Sequence, residues 1–171
     1  PIPRSLQLTV FGDLDVSVLS ELPKGRQPIK TGILKEIETR ERLYPQILET
    51  LRDGQQMYWI CKAIDEDPRT ETTSVKTRAS KLAKEFPKAK IEFLHGRMKP
   101  AEKDEIMEKF SRGEIQILVS TTVVEVGVDV PNATLMVIEN AETYGLAQLH
   151  QLRGRVGRGD KASFCCLLTS G

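Results

Sequence analysis

Met57-Tyr58-Trp59-Ile60-Cys61 is apolar or aromatic at every position, not at every second one. A strand with one wet face alternates. An unbroken run predicts a strand covered on both faces, as in a parallel sheet between two layers of helices. The same pattern recurs at residues 91–94, 115–120, 135–138 and 164–168, and residues 29–38 offer a further strand. Helical spacing fills the gaps. Leu43, Ile47, Leu48 and Leu51 share one helical face, closed by Gly54. Pro45 is tolerated only in a first turn, so this helix starts near Leu43. Val75, Ala79, Leu82, Ala83 and Phe86 form a second face, stopped by Pro87. Ile106, Met107 and Phe110 form a third, stopped by Gly113, and Leu146, Leu149 and Leu152 a fourth. Residues 65–74 are acidic and threonine-rich around Pro68, and read as an exposed loop. Alternating strands and helices with short links predict a three-layer α/β/α domain with a mostly parallel sheet and right-handed crossovers.

The chain has 171 residues, which suits one domain around one core. Residues 1–40 read as an entry segment with a different character, in which residues 11–22 mix acids and aliphatics. Lys and Arg number 25 against 24 Asp and Glu, so any polyanion must be held by local groups and not by a global basic field. Cys61, Cys165 and Cys166 lie in apolar runs, and an odd number cannot all pair, so they read as buried reduced thiols of a cytosolic protein. His95 and His150 are too few and too separated for a metal site. No apolar run approaches a membrane span, and no signal peptide is visible.

In a doubly wound sheet, ligands gather beyond the C-terminal ends of the strands. Three segments are placed there. His95-Gly96-Arg97-Met98-Lys99 follows one strand, and Gly96 with Arg97 offers a bare amide and a guanidinium to a phosphate; a plain surface turn is the alternative. Thr121 and Thr122 follow another strand, with hydroxyls suited to a phosphate at a helix N-terminus, or to an ordinary cap. Asp129, two residues after Gly127, suits ribose hydroxyls, or a turn before Pro131. The third segment is Gln151-Leu152-Arg153-Gly154-Arg155-Val156-Gly157-Arg158-Gly159, three arginines and three glycines in seven residues at a helix end. Flat guanidinium forks match phosphate oxygens, and glycines let the backbone approach a ligand. Tyr58 and Trp59 can stack bases, although a Trp inside a strand is more often core.

One absence carries weight. The sequence has no Gly-x-x-x-x-Gly-Lys-[Ser/Thr], so a nucleoside triphosphate lacks its usual cradle. Asp65-Glu66-Asp67 imitates a metal-binding acid pair, but Lys62 interrupts the preceding run and Pro68 follows. The residues therefore read as half an active site, with charge-stabilising arginines and no means of holding the phosphates.

These segments resemble the second RecA-like motor domain of superfamily 2 helicases, and within it the RecG family of branch-migrating DNA helicases. The resemblance rests on residues 11–17, Tyr58-Trp59-Ile60-Cys61, Leu94-His95-Gly96-Arg97-Met98-Lys99, and residues 120–133 and 144–159. Pro1-Ile2-Pro3-Arg4 is similar to the end of a motif that closes the first motor domain. Lys62-Ala63-Ile64 departs from the family's Pro-Leu-Ile. The resemblance implies a RecA-like, P-loop NTPase-type domain without its own P-loop, spanning residues 1–171. It implies that Gln151, Arg155 and Arg158 face ATP across an interdomain cleft, with Arg155 and Arg158 as arginine fingers. Gly127 and Asp129 would lie near the ribose, and Gly96, Arg97, Thr121 and Thr122 at DNA phosphates. ATP and Mg2+ would be held mainly by the first motor domain. The implied partners are that domain and a wedge domain of the same parent chain, with branched or duplex DNA. Further readings are the motor lobe of the transcription-repair coupling translocase, a non-enzymatic nucleotide- or nucleic-acid-binding module on the same fold, and a small-molecule α/β enzyme, for which no acid-base or nucleophile constellation is present.

Overall fold

The structure is a computed structural model that describes residues 29–61, 68–121, 130–154, 156 and 162–170. Among the described residues, six strands form one sheet: β1 (Ile29–Lys35), β2 (Gln56–Cys61), β3 (Ile91–Phe93), β4 (Ile117–Thr121), β5 (Ala133–Ile138) and β6 (Ser163–Thr169). Their order is β1-β6-β5-β2-β4-β3, and every pairing is parallel. Four α-helices accompany them among the described residues: α1 (Tyr44–Arg52), α2 (Pro68–Glu85), α3 (Pro100–Ser111) and α4 (Leu146–Arg153). The unbroken apolar runs have the predicted cause. β2, β4 and β5 are buried at every position, because helices cover both faces of the sheet.

The two faces separate by residue parity. Tyr58, Ile60, Leu118, Met136, Ile138, Cys165 and Leu167 face Met107 and Phe110 of α3 and Leu149 of α4. Met57, Trp59, Ile117, Val119, Leu135, Val137, Cys166 and Leu168 share the other core with Leu43, Ile47, Val75 and Leu82. Gln56 locks the start of β2. Its side-chain amide donates to the carbonyls of Phe110 and Ile115 at 2.6 and 2.7 Å, and its oxygen accepts from Asn132 at 3.1 Å. Buried polar groups persist only when satisfied in this way. Gly54 and Gly113 stand just past α1 and α3 at φ +76° and +84°. A Cβ at either would meet nothing within 4 Å, so the need for glycine is conformational and not spatial.

Several expectations need correction. β1 stops at Lys35, short of the expected residue 38, giving way to a 3-10 turn at Glu36–Glu38 and a π turn at Thr39–Leu43. The expected loop at 65–74 is helical from Pro68 onward, with residues 65–67, the acidic stretch, outside the described residues. Proline starts a helix as readily as it breaks one, since the first turn has no use for its missing N–H. Leu48 was expected on the buried face of α1 but is 47% exposed. Trp59 is a buried core side chain, the favoured reading for a Trp inside a strand, and Tyr58 is buried with it, so neither offers a face for a base to stack on.

The three cysteines are buried and form no disulfide. Burial pushes the Cys166 thiol from 9.0 up to about 12, although Arg42 pulls the other way. The unfolded chain therefore loses this proton at lower pH than the folded one. The Cys166 contribution is complete below pH 9 and is lost as pH rises toward 12. A Cys166→Ala variant should show a shallower alkaline fall in urea stability than the parent. Identical slopes above pH 9 would exclude this source.

Candidate functional site

The C-terminal ends of the strands define one edge of the sheet, and the structure places several expected residues along it. Gly96 and Arg97 occupy the exposed turn after β3. The Lys103 ammonium donates to the Gly96 carbonyl at 3.4 Å, tying the turn to α3. Thr121 is the last residue of β4, buried and paired in register with Cys61. Gln151 is exposed on α4. Thr122, Gly127, Asp129, Arg155 and Arg158 lie outside the described residues. Of the arginine stretch, Arg153 ends α4, Gly154 follows it, and Val156 is buried in the same core cluster as Tyr144 and Leu149. Among the described residues, no group of His, Cys, Asp or Glu is arranged to hold a metal ion. No described helix is long and apolar enough to cross a membrane.

The chain reaches α4 from β5 through a short, pinned segment. Glu139 follows β5 directly, and its N–H donates to the Ile60 carbonyl at 2.9 Å. Asn140 takes a left-handed conformation at φ 53°, which asparagine tolerates better than most side chains. A 3-10 turn at Ala141–Thr143 follows. Glu142 accepts hydrogen bonds from the N–H and the hydroxyl of Ser170 at 3.0 and 3.3 Å, holding the segment against the end of β6.

The strongest electrostatic feature of this edge was not expected from sequence. The Glu139 carboxylate accepts the Trp59 indole N–H, the Cys61 thiol at 3.2 Å, and two guanidinium N–H groups of Arg78 at 2.9 and 2.8 Å. Arg78 also lies over the Trp59 ring, 5.1 Å from its centroid. The pair is only 19% and 16% exposed. Burial works against the Arg78 charge, but the hydrogen bonds and charge of Glu139 outweigh it and hold its pKa above the usual guanidinium value. Burial, and then the Glu139 charge, push the Cys61 thiol strongly upward, so it stays protonated. The network forms the inner wall of a cleft of about 570 Å³ that also takes in Arg40, Tyr44, Lys81 and Lys84. One sequence signal pointed this way: a buried tryptophan needs a partner for its N–H. The identity of that partner follows only from the register that pairs Ile60 with Ile138, the residues just before Cys61 and Glu139.

Comparison with known proteins agrees with the fold. Residues 39–160 match the family described as the helicase conserved C-terminal domain. The chain is 52% identical over 168 residues to the ATP-dependent DNA helicase RecG of Pasteurella multocida, covering 98% of this chain and 24% of that protein. It is 48% identical over 168 residues to RecG of Escherichia coli strain K12, with the same coverage. Among solved structures it is similar to RecG bound to a three-way DNA junction, with a TM-score of 0.74 and 40% identity over 100% of this chain and 22% of that one. The second domain of the DEAD-box helicase Mss116p, bound to an RNA duplex, shares the fold with a TM-score of 0.61 at 24% identity, over 82% of this chain and 54% of that one. The chain spans about a quarter of the length of the RecG relatives it matches.

Proposed function

Since the chain belongs to the helicase conserved C-terminal domain family, we propose that it works as the second motor lobe of an ATP-dependent DNA helicase that remodels stalled forks and Holliday junctions in repair and recombination. The observation that carries this reading is the arginine-glycine turn, Arg153 to Gly159, in a sequence with no phosphate loop. Its resemblance to RecG across nearly the whole chain supports it. The first motor lobe of the same parent chain holds ATP and Mg2+, and Mg2+ offsets the phosphate charge. Arg155 and Arg158 neutralise charge developing on the transferred phosphoryl group as the lobes close. Gln151, exposed on α4, faces the same cleft. Gly127 and Asp129 serve the ribose. Gly96, Arg97, Thr121 and Thr122 contact backbone phosphates, which position the lobe without reading sequence. Hydrolysis reopens the cleft and advances the lobes along duplex DNA. The compartment is the bacterial cytoplasm, a reading supported by three buried cysteines that form no disulfide.

The isolated 171-residue chain should hydrolyse no ATP and should lose most of its DNA affinity by about 200 mM salt, because two or three phosphate contacts release few counterions. Measured turnover by this chain alone, or tight binding at that salt, would overturn the half-site reading. The motor lobe of the transcription-repair coupling translocase differs by its neighbours, an RNA-polymerase-binding module in place of a wedge domain.

A further inference from the structure

The cleft beside Glu139 lies where an open parallel sheet favours a ligand. β5 and β2 are neighbours, yet their connections leave in opposite directions. β5 leads to α4, whose Leu149 packs in one core cluster; β2 leads to α2, whose Val75 and Leu82 pack in the other. A crevice opens at such a reversal, just beyond the C-terminal ends of the strands. Glu139 and Trp59 of β2 line the inner wall of this one, and its volume of about 570 Å³ is that of a small-molecule site.

Its charges indicate the ligand. Arg40, Arg78, Lys81 and Lys84 line it, against Glu36, Glu85 and Glu139. Arg78 is committed to Glu139 in an enclosed, two-pronged pair. Arg40 is held by Glu85, but that pair is open to water, with Arg40 74% exposed, and exchanges at little cost. Lys81 and Lys84 make no hydrogen bond or ion pair among the described residues, and both are exposed. Part of this is ordinary helix chemistry, since Lys84 sits in the last turn of α2 and offsets its dipole. That does not account for Arg40, which comes from a different element, at the same cleft. Tyr44, standing edge-on to Phe86, supplies an aromatic wall.

We propose that this cleft is a second phosphate site, in which Lys81, Lys84 and Arg40 hold a phosphate group of a nucleotide or of a DNA backbone. The site lies on the sheet face opposite α4 and does not rest on the motor reading. Arg78 positions the cleft wall and does not exchange. Trp59, the only tryptophan in the sequence, lies beneath it and reports occupancy by its emission.

The test is equilibrium dialysis of the 171-residue chain with pyrophosphate, ATP and a short single-stranded oligonucleotide, with Trp59 emission read alongside. Saturable binding is expected, weakened at least about tenfold in Lys81→Ala/Lys84→Ala, with the salt slope for the oligonucleotide reduced by about 2. Both lysines are exposed, so the urea midpoint should move only slightly, by the loss of the Lys84 charge at the end of α2. Binding of pyrophosphate and ATP alike identifies terminal phosphates as the ligand; binding of the oligonucleotide alone identifies backbone phosphates. No saturable binding of any probe, or equal affinity in the double variant, overturns the proposal. That failure would leave the arginine turn untouched, because its test is turnover by the full-length enzyme.

Discussion

Replacing Arg158 by alanine in the full-length parent should lower DNA-stimulated ATP turnover by about 10³ or more, with a much smaller change in ATP affinity. The split follows from when the contact is made. An arginine that meets charge developing on the transferred phosphoryl group contributes little to the ground state, so its loss falls on the rate. Lysine at the same position should recover little, because one ammonium does not reproduce a planar fork. Arg155→Ala should act in the same direction. ATP titration and single-turnover hydrolysis separate the two effects. Near-normal turnover in Arg158→Ala would remove this residue from the mechanism, and a loss confined to ATP binding would make it a ground-state contact.

Glu139→Ala should lower the unfolding free energy of the 171-residue chain by about 3 kcal/mol. This is the lower end of the range for breaking a buried pair, because the partners retain 19% and 16% of their exposure. The variant leaves the Arg78 charge, the Trp59 N–H and the Cys61 thiol without their shared acceptor. Arg78→Met should cost less, since the carboxylate keeps Trp59 and Cys61. Combining Arg78→Met with Glu139→Gln should cost clearly less than the two single changes added together. The amide oxygen still accepts the indole N–H, and no buried charge is stranded. A coupling of at least about 1 kcal/mol is expected in urea unfolding of the four proteins. Additive effects within about 0.5 kcal/mol would mean that the pair behaves as a solvated surface contact.

Strand and helix order was legible because burial on both faces leaves a mark on every residue of a strand. Met57 to Cys61 is the clearest case: no alternating pattern accounts for it, and β2 is buried throughout. The glycines after α1 and α3 were legible for a local reason, since few other residues take positive φ cheaply. Pro68 misled because proline terminates or initiates according to its neighbours, and the helix beyond it packs through Val75 and Leu82, several residues downstream. The exposure of Leu48 was hidden for a similar reason. Helical spacing groups it with Ile47, but only the position of α1 on the sheet decides which of the two faces the core.

The candidate site divides along the same line. The arginine stretch, the Gly96-Arg97 turn and the missing phosphate loop are each legible in contiguous sequence, and together with residues 11–17, 58–61 and 120–133 they carried the family resemblance and the direction of the functional reading. The cleft was not visible there. Arg40, Arg78, Lys84 and Glu139 come from the turn after β1, from α2 and from the end of β5, and each read singly is an ordinary solvated charge. Arg78 and Glu139 are 61 residues apart, and the strand order brings them to 2.8 Å. Sequence determines what short stretches of backbone and side chain prefer, because those preferences act between neighbours. Which distant charges share a low-dielectric wall is decided by sheet order and register, and only the folded chain contains that information.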